Sequence, residues 1–173
     1  MRILFMLSIC LLYHSGLLGQ NEVARWNTSY RMVDLTEVFQ AENQYAATVE
    51  KDPAIPQYYF RHDKLRFYAT FTGQRRSILP STMQSMKHVY QQIGGDVSLF
   101  DDLVIREYLF RINGQNVWIP IQKQLEYYLA SEIGLDEEVM LYCLMLVEHS
   151  ERELRTSLLV SEFQAVQPRA GRR

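Results

Sequence analysis

The chain has 173 residues, 47% hydrophobic, 12% aromatic and 22% charged, the balance of a globular domain rather than a disordered one. A formal net charge of −2 builds no basic surface for phosphate backbones, which argues against nucleic acid as a partner. Of its two cysteines, Cys10 falls in the segment read below as a leader, so Cys143 stands alone in the remainder and an internal disulfide is excluded.

Residues 1–19 read as an export signal. Arg2 supplies the positive start, and Ile3 to Leu12 form an apolar run too short for the ~20 residues of a membrane-spanning helix. Gly16 and Gly19 place small residues near a cleavage point, with Gln20 or Asn21 as the mature start. The protein is therefore expected outside the cytoplasm, periplasmic or secreted, with no stable membrane span once the signal is removed. Cys10 is not expected to carry a lipid, because bulky Ile9 stands where a lipoprotein signal needs a small residue. The remaining chain, 20–166, has the size of one domain, followed by a disordered basic tail at 167–173 that contains Arg169, Arg172 and Arg173. Asn27-Thr28-Ser29 fits a glycosylation acceptor, a three-residue pattern that also arises by chance.

The first element is expected as a helix over 35–50. Asp34 with Glu37 resembles a capping box, Leu35, Val38, Phe39, Ala46 and Val49 fall at helical spacing, and Pro53 ends it. A hairpin is expected next, because Leu65, Phe67, Ala69 and Phe71 alternate with polar residues and Gly73-Gln74 suits a two-residue type II′ turn. That register pairs Ala69 with Ile78 and Phe71 with Arg76. A helix follows from Pro80, with Met83, Met86, Val89, Tyr90 and Ile93 facing the core and Gly94 closing it.

The same order then recurs: a strand over 104–112, a type I′ turn at Asn113-Gly114, a returning strand over 117–121, and a helix over 122–133 closed by Gly134. The matched spacing of the two ββα units suggests an internal duplication. A last hairpin joins strands over 139–147 and 154–163, the first apolar at nearly every position and so expected to be covered on both faces. The expected fold is a single α+β domain, an antiparallel sheet or partly closed barrel in the order α-ββα-ββα-ββ.

No strong catalytic signal emerges. His62 is placed before a strand, His88 on a helix, and Glu148-His149 in a hairpin loop, none with zinc-site spacing. Glycines form neither a phosphate cradle nor a nucleophile elbow, so no cofactor, metal or catalytic residue is expected. Asp101-Asp102 reads as a polar lead-in to a strand, because the local sequence lacks the further oxygen ligands that calcium needs. Cys143 shares a strand face with Leu141, Met145 and Val147 and should be buried and unreactive. Tyr128 is expected to face the core and Tyr127 to point elsewhere.

One surface stands out. The type I′ register buries Phe110–Val117 and Tyr108–Ile119, and sets Leu109 opposite Trp118 and Arg111 opposite Asn116 on the other face. Trp118, Leu109, Arg111 and Asn116 form a candidate binding patch, unless the helix over 35–50 or another chain covers them. The expected function is an exported, non-enzymatic domain that binds a protein partner or has a structural role in the cell envelope or extracellular space. The alternative is a module that binds a glycan or a small apolar molecule at Trp118. A cleft joining His62 or His149 to a carboxylate would favour an enzyme.

Overall fold

The computed structural model describes residues 18–98, 100–150 and 153–166. The expected leader, apart from Leu18 and Gly19, and the expected tail at 167–173 lie outside these residues. A helix absent from the sequence expectation, α1 (Leu18–Ser29), comes first and leads into a two-residue strand, β1 (Arg31–Met32). Trp26 and Tyr30 pack with Tyr142 at ring separations of 5.1–5.9 Å. Val23, Trp26 and Tyr30 recur at helical spacing, a pattern short enough to be missed beside the leader.

Helix α2 (Leu35–Lys51) forms where expected. The Asp34 carboxylate caps it by accepting from Thr36 N–H at 2.8 Å, so the cap is real but the reciprocal box with Glu37 is not made. The hairpin expected around Gly73-Gln74 does not form. Tyr59–Ser77 is one long strand, β2, whose register on its neighbour shifts between Phe71 and Arg75. Gly73 has the positive φ (75°) that the turn required, but here it bends the strand instead of reversing it. Ala69 consequently pairs with Val139, not Ile78, and Phe71 with Phe110, not Arg76.

Helix α3 (Pro80–Gln92) buries Met86 and Val89. It ends in a Schellman motif: Gly95 N–H donates to Tyr90 C=O, Gly94 N–H donates to Gln91 C=O, and Gly94 takes φ 83°. Asp101-Asp102 lies in a one-turn helix, α4 (Phe100–Leu103), rather than in a strand approach. The second hairpin, β3 (Arg106–Ile112) and β4 (Gln115–Ile121), has the expected register: Phe110–Val117, Tyr108–Ile119, Leu109–Trp118 and Arg111–Asn116 all pair. Asn113 and Gly114, both at positive φ, make its turn.

Helix α5 (Lys123–Glu132) follows, but Gly134 does not close it. Ile133 is already extended, and the left-handed residue is Asp136. Tyr128, expected in the core, is about half exposed. The first ββα unit thus lacks its hairpin and the second has one, so the two expected units differ by a strand. The chain ends in β5 (Glu138–Ser150) and β6 (Glu153–Ala165), both longer than expected, and Glu148 and His149 sit within β5 rather than in a loop.

The result is a single α+β layout with a mixed six-stranded sheet. Strand β2 pairs with β3 at one end and with β5 along the other, so β2–β3–β4–β6–β5 returns on itself as a partly closed ring. Side-chain alternation fills the inside with Leu65, Phe67, Phe110, Ile119, Leu141 and Val160, and α2 inserts Leu35 among them. Outside, α3 and α4 cover Leu146 and Leu159 while α1 covers Met140 and Tyr142. Strand β5 is covered on both faces, as its unbroken apolar run implies.

Candidate functional site

The sequence placed Trp118 opposite Leu109 on the outer face of β3–β4, and the structure keeps them there. Helix α2 does not cover them, because its Leu35, Val38 and Phe39 pack against the cluster on the inner side of the sheet. Leu109 is nonetheless 7% exposed, and Trp118 is half-buried beside a neighbour the sequence reading put elsewhere. The Arg76 guanidinium lies 4.2 Å from the centroid of the Trp118 ring, and its Nε donates to Glu107 Oε1. The bend in β2 delivers Arg76 by pairing it with Glu107. Glu107 is 2% exposed, so its charge is held by this one guanidinium in a largely dry setting. Arg111 leaves the patch to donate to Asp136 at 2.8 Å, and Asn116 remains exposed beside the turn.

Trp118 also lines an opening in the ring. Strands β4 and β6 run parallel and pair only through Ile121 and Val160 among the described residues. Below that pair they leave a notch of about 130 Å³ that joins the inside of the wall to the outside. Phe39, Val117 and Leu158 reach it from the core side. Arg76, Glu107 and Trp118 reach it from the outer face, with Thr82, Thr156 and Ser157 adding hydroxyls.

The histidines are dispersed. His62 lies exposed within β2 rather than ahead of it. His149, fully buried, stacks on Tyr59 at 5.0 Å; its Nδ1 donates to Gln57 C=O at 2.7 Å and its Nε2 lies 3.3 Å from Glu50. His88 Nδ1 is 2.6 Å from the buried Glu148, whose other oxygen accepts from Ser85 Oγ at 2.9 Å. An ionised carboxylate only accepts, so the Nδ1 proton belongs to His88 and Nε2 faces the Tyr58 hydroxyl, 3.4 Å away. This is an oriented imidazole without an activated nucleophile. The Ser85 hydroxyl is turned to the carboxylate, and burial, reinforced by the Glu148 charge, pushes the Tyr58 phenol up and keeps it neutral. His88 and Ser85 together satisfy the buried Glu148 carboxylate beneath α3. Among the described residues no group of three or more His, Cys, Asp and Glu side chains is placed to hold a metal ion.

Cys143 is fully buried inside the ring, and burial pushes its thiol well above the ordinary range. Native protein without residues 1–19, and so without Cys10, should react with a thiol reagent only as fast as it unfolds, whereas in denaturant it should label at once. Prompt labelling of the native state would reverse the assignment of the inward face of β5.

A second depression, an open groove of about 540 Å³ between α3 and the α4–β3 connection, shares no lining residue with the notch. Ile78, Met83, Val104 and Ile105 make it apolar, and Lys87 pairs with Asp101 at 2.5 Å beside it. No helix among the described residues is long and apolar enough to cross a membrane. Comparison with protein-family models, with curated proteins and with solved structures finds no match.

Proposed function

We propose that this chain is an exported, non-enzymatic domain that binds a partner protein through the outer face of β3–β4 and the notch beside it. The size of the notch carries this reading. Small-molecule pockets run to roughly 300–1,000 Å³, and a notch of about 130 Å³ suits one side chain of a larger partner. Its rim supports the same reading, since Trp and Arg are the residues that most often dominate binding at protein interfaces. A glycan would need an open aromatic face, and Arg76 occupies one face of Trp118. A small apolar ligand would find the larger groove at Met83 and Val104, where Trp118 plays no part. Export rests on the apolar leader with Arg2 ahead of it.

The test is site-specific photocrosslinking in the producing cells, with the probe at Asn116 or, as a control, at Tyr68 on another exposed part of the sheet. Asn116 should give one adduct of defined mass that Trp118→Glu abolishes, and Tyr68 should not give it. An adduct that is indifferent to Trp118→Glu, or the absence of any adduct, would leave the domain with a purely structural role.

A further inference from the structure

The opening beside Trp118 has a cause in the backbone. In a hairpin with a two-residue turn, alternate residue pairs exchange main-chain hydrogen bonds, starting from the pair that flanks the turn. Ile112–Gln115 flanks the turn here, so Phe110–Val117, Tyr108–Ile119 and Arg106–Ile121 are bonded pairs. The N–H and C=O groups of Asn116 and Trp118 therefore point away from β3, toward β6. The Ile121–Val160 pair directs the main-chain groups of Val160 toward β4, and alternation along β6 does the same for Leu158 and Thr156.

Two edges thus face each other, and they join only at Ile121–Val160. In a parallel ladder this register sets Val160 N–H toward residue 120 C=O and Val160 C=O toward residue 122 N–H. The next rung needs Leu158 C=O to meet the N–H of residue 120. Residue 120 is proline and has none. The ladder stops there, and the notch begins at that point, lined by Pro120, Trp118, Thr156 and Leu158. A proline in a strand at this edge position holds the ring open.

We infer that Pro120 keeps a strand-acceptor seam, and that the partner docks as an extended peptide segment. The segment would pair its backbone with Asn116 and Trp118 on the β4 edge and place one side chain in the notch. Two features select an extended peptide over other occupants: main-chain donors and acceptors at strand spacing that β3 leaves free and that form no ladder pair with β6 among the described residues, and a recess of single-side-chain size between them. The apolar floor of Phe39, Val117 and Leu158 under a rim of hydroxyls fits a residue such as valine, leucine or threonine. This inference rests on the partner-binding reading and adds its mode.

The test uses the full chain and a displayed library of short linear peptides, selected on the wild type and then measured on Pro120→Val and Trp118→Lys. In the free wild type, amides of Asn116 and Trp118 should exchange with deuterium on the order of a hundredfold faster than those of Phe110 and Ile119. Selected peptides should slow that exchange. Pro120→Val supplies the missing donor, so the new amide at position 120 should be protected and peptide binding should weaken by about tenfold or more. Protected Asn116 and Trp118 amides in the free wild type would overturn the inference. So would peptides that bind Pro120→Val undiminished: if Trp118→Lys still abolishes them, partner binding stands and strand addition fails. Peptides indifferent to both variants overturn both readings, and a Pro120-dependent dimer without peptide binding would assign the seam to a second copy of the chain.

Discussion

Phe110→Ala is expected to destabilise the protein by about 3–5 kcal/mol, the cost of emptying a fully enclosed aromatic site. Phe110 has no exposed surface, lies opposite Val117 across the hairpin, and packs on Phe71 with ring centroids 5.8 Å apart. Trp118→Ala, one residue along on the other face of the same strand pair, is expected to cost only about 1–2 kcal/mol, from part of its burial and its contact with Arg76. Denaturant unfolding measures both, with an unchanged slope marking a loss of stability rather than a different unfolded state. The contrast is the point of the experiment. Equal costs would make Trp118 a core residue and remove the surface on which the binding proposal stands.

The hairpin that carries this contrast was legible because its turn chemistry and its alternation agree. Asn113-Gly114 demands positive φ at both positions, and only one register then buries Tyr108, Phe110 and Ile119 together. Gly73-Gln74 shows how the same reasoning fails. A glycine at positive φ serves a turn and a bend equally, and the alternation on either side of it is identical in the two cases. What decides is a distant partner: β2 continues because β3 pairs with it on both sides of Gly73, at Thr70–Phe71 and again at Arg75–Ser77, and no local window contains that fact. Arg76 was lost to the site for this reason, since its place against Glu107 exists only if β2 runs through. Glu148 and His149 were misplaced by a related step, because polar residues near a turn read as loop until Ser85, His88 and Gln57 are seen to satisfy them. Pro120 falls within the strand expected over 117–121, but its consequence needed the parallel strand β6 on its other side.

Leu35→Ala is expected to cost about 2–5 kcal/mol, as much as a residue of the sheet itself. Leu35 is 1% exposed at the first turn of α2 and belongs to the cluster that fills the ring, together with Phe67, Phe110 and Leu141. A helix lying on the outside of a sheet tolerates such a truncation better, because its neighbours can settle toward it. Inside a partly closed ring, the strands around Leu35 are tied to their neighbours and have little room to move in. The helix start is fastened as well: Asp34 Oδ1 accepts from Thr36 N–H at 2.8 Å and from Asn113 Nδ2 at 3.0 Å, which links α2 to the turn of the hairpin. Asp34→Ala should therefore cost about 1–2 kcal/mol, toward the upper end of what a helix cap contributes, since two hydrogen bonds go with it. Equilibrium unfolding of both variants distinguishes a plug from a decoration. A loss below about 1 kcal/mol for Leu35→Ala, the range of a surface change, would mean that the ring holds its shape without α2. The notch would then lose Phe39 as a fixed part of its floor, because α2 is what presents that ring to the seam.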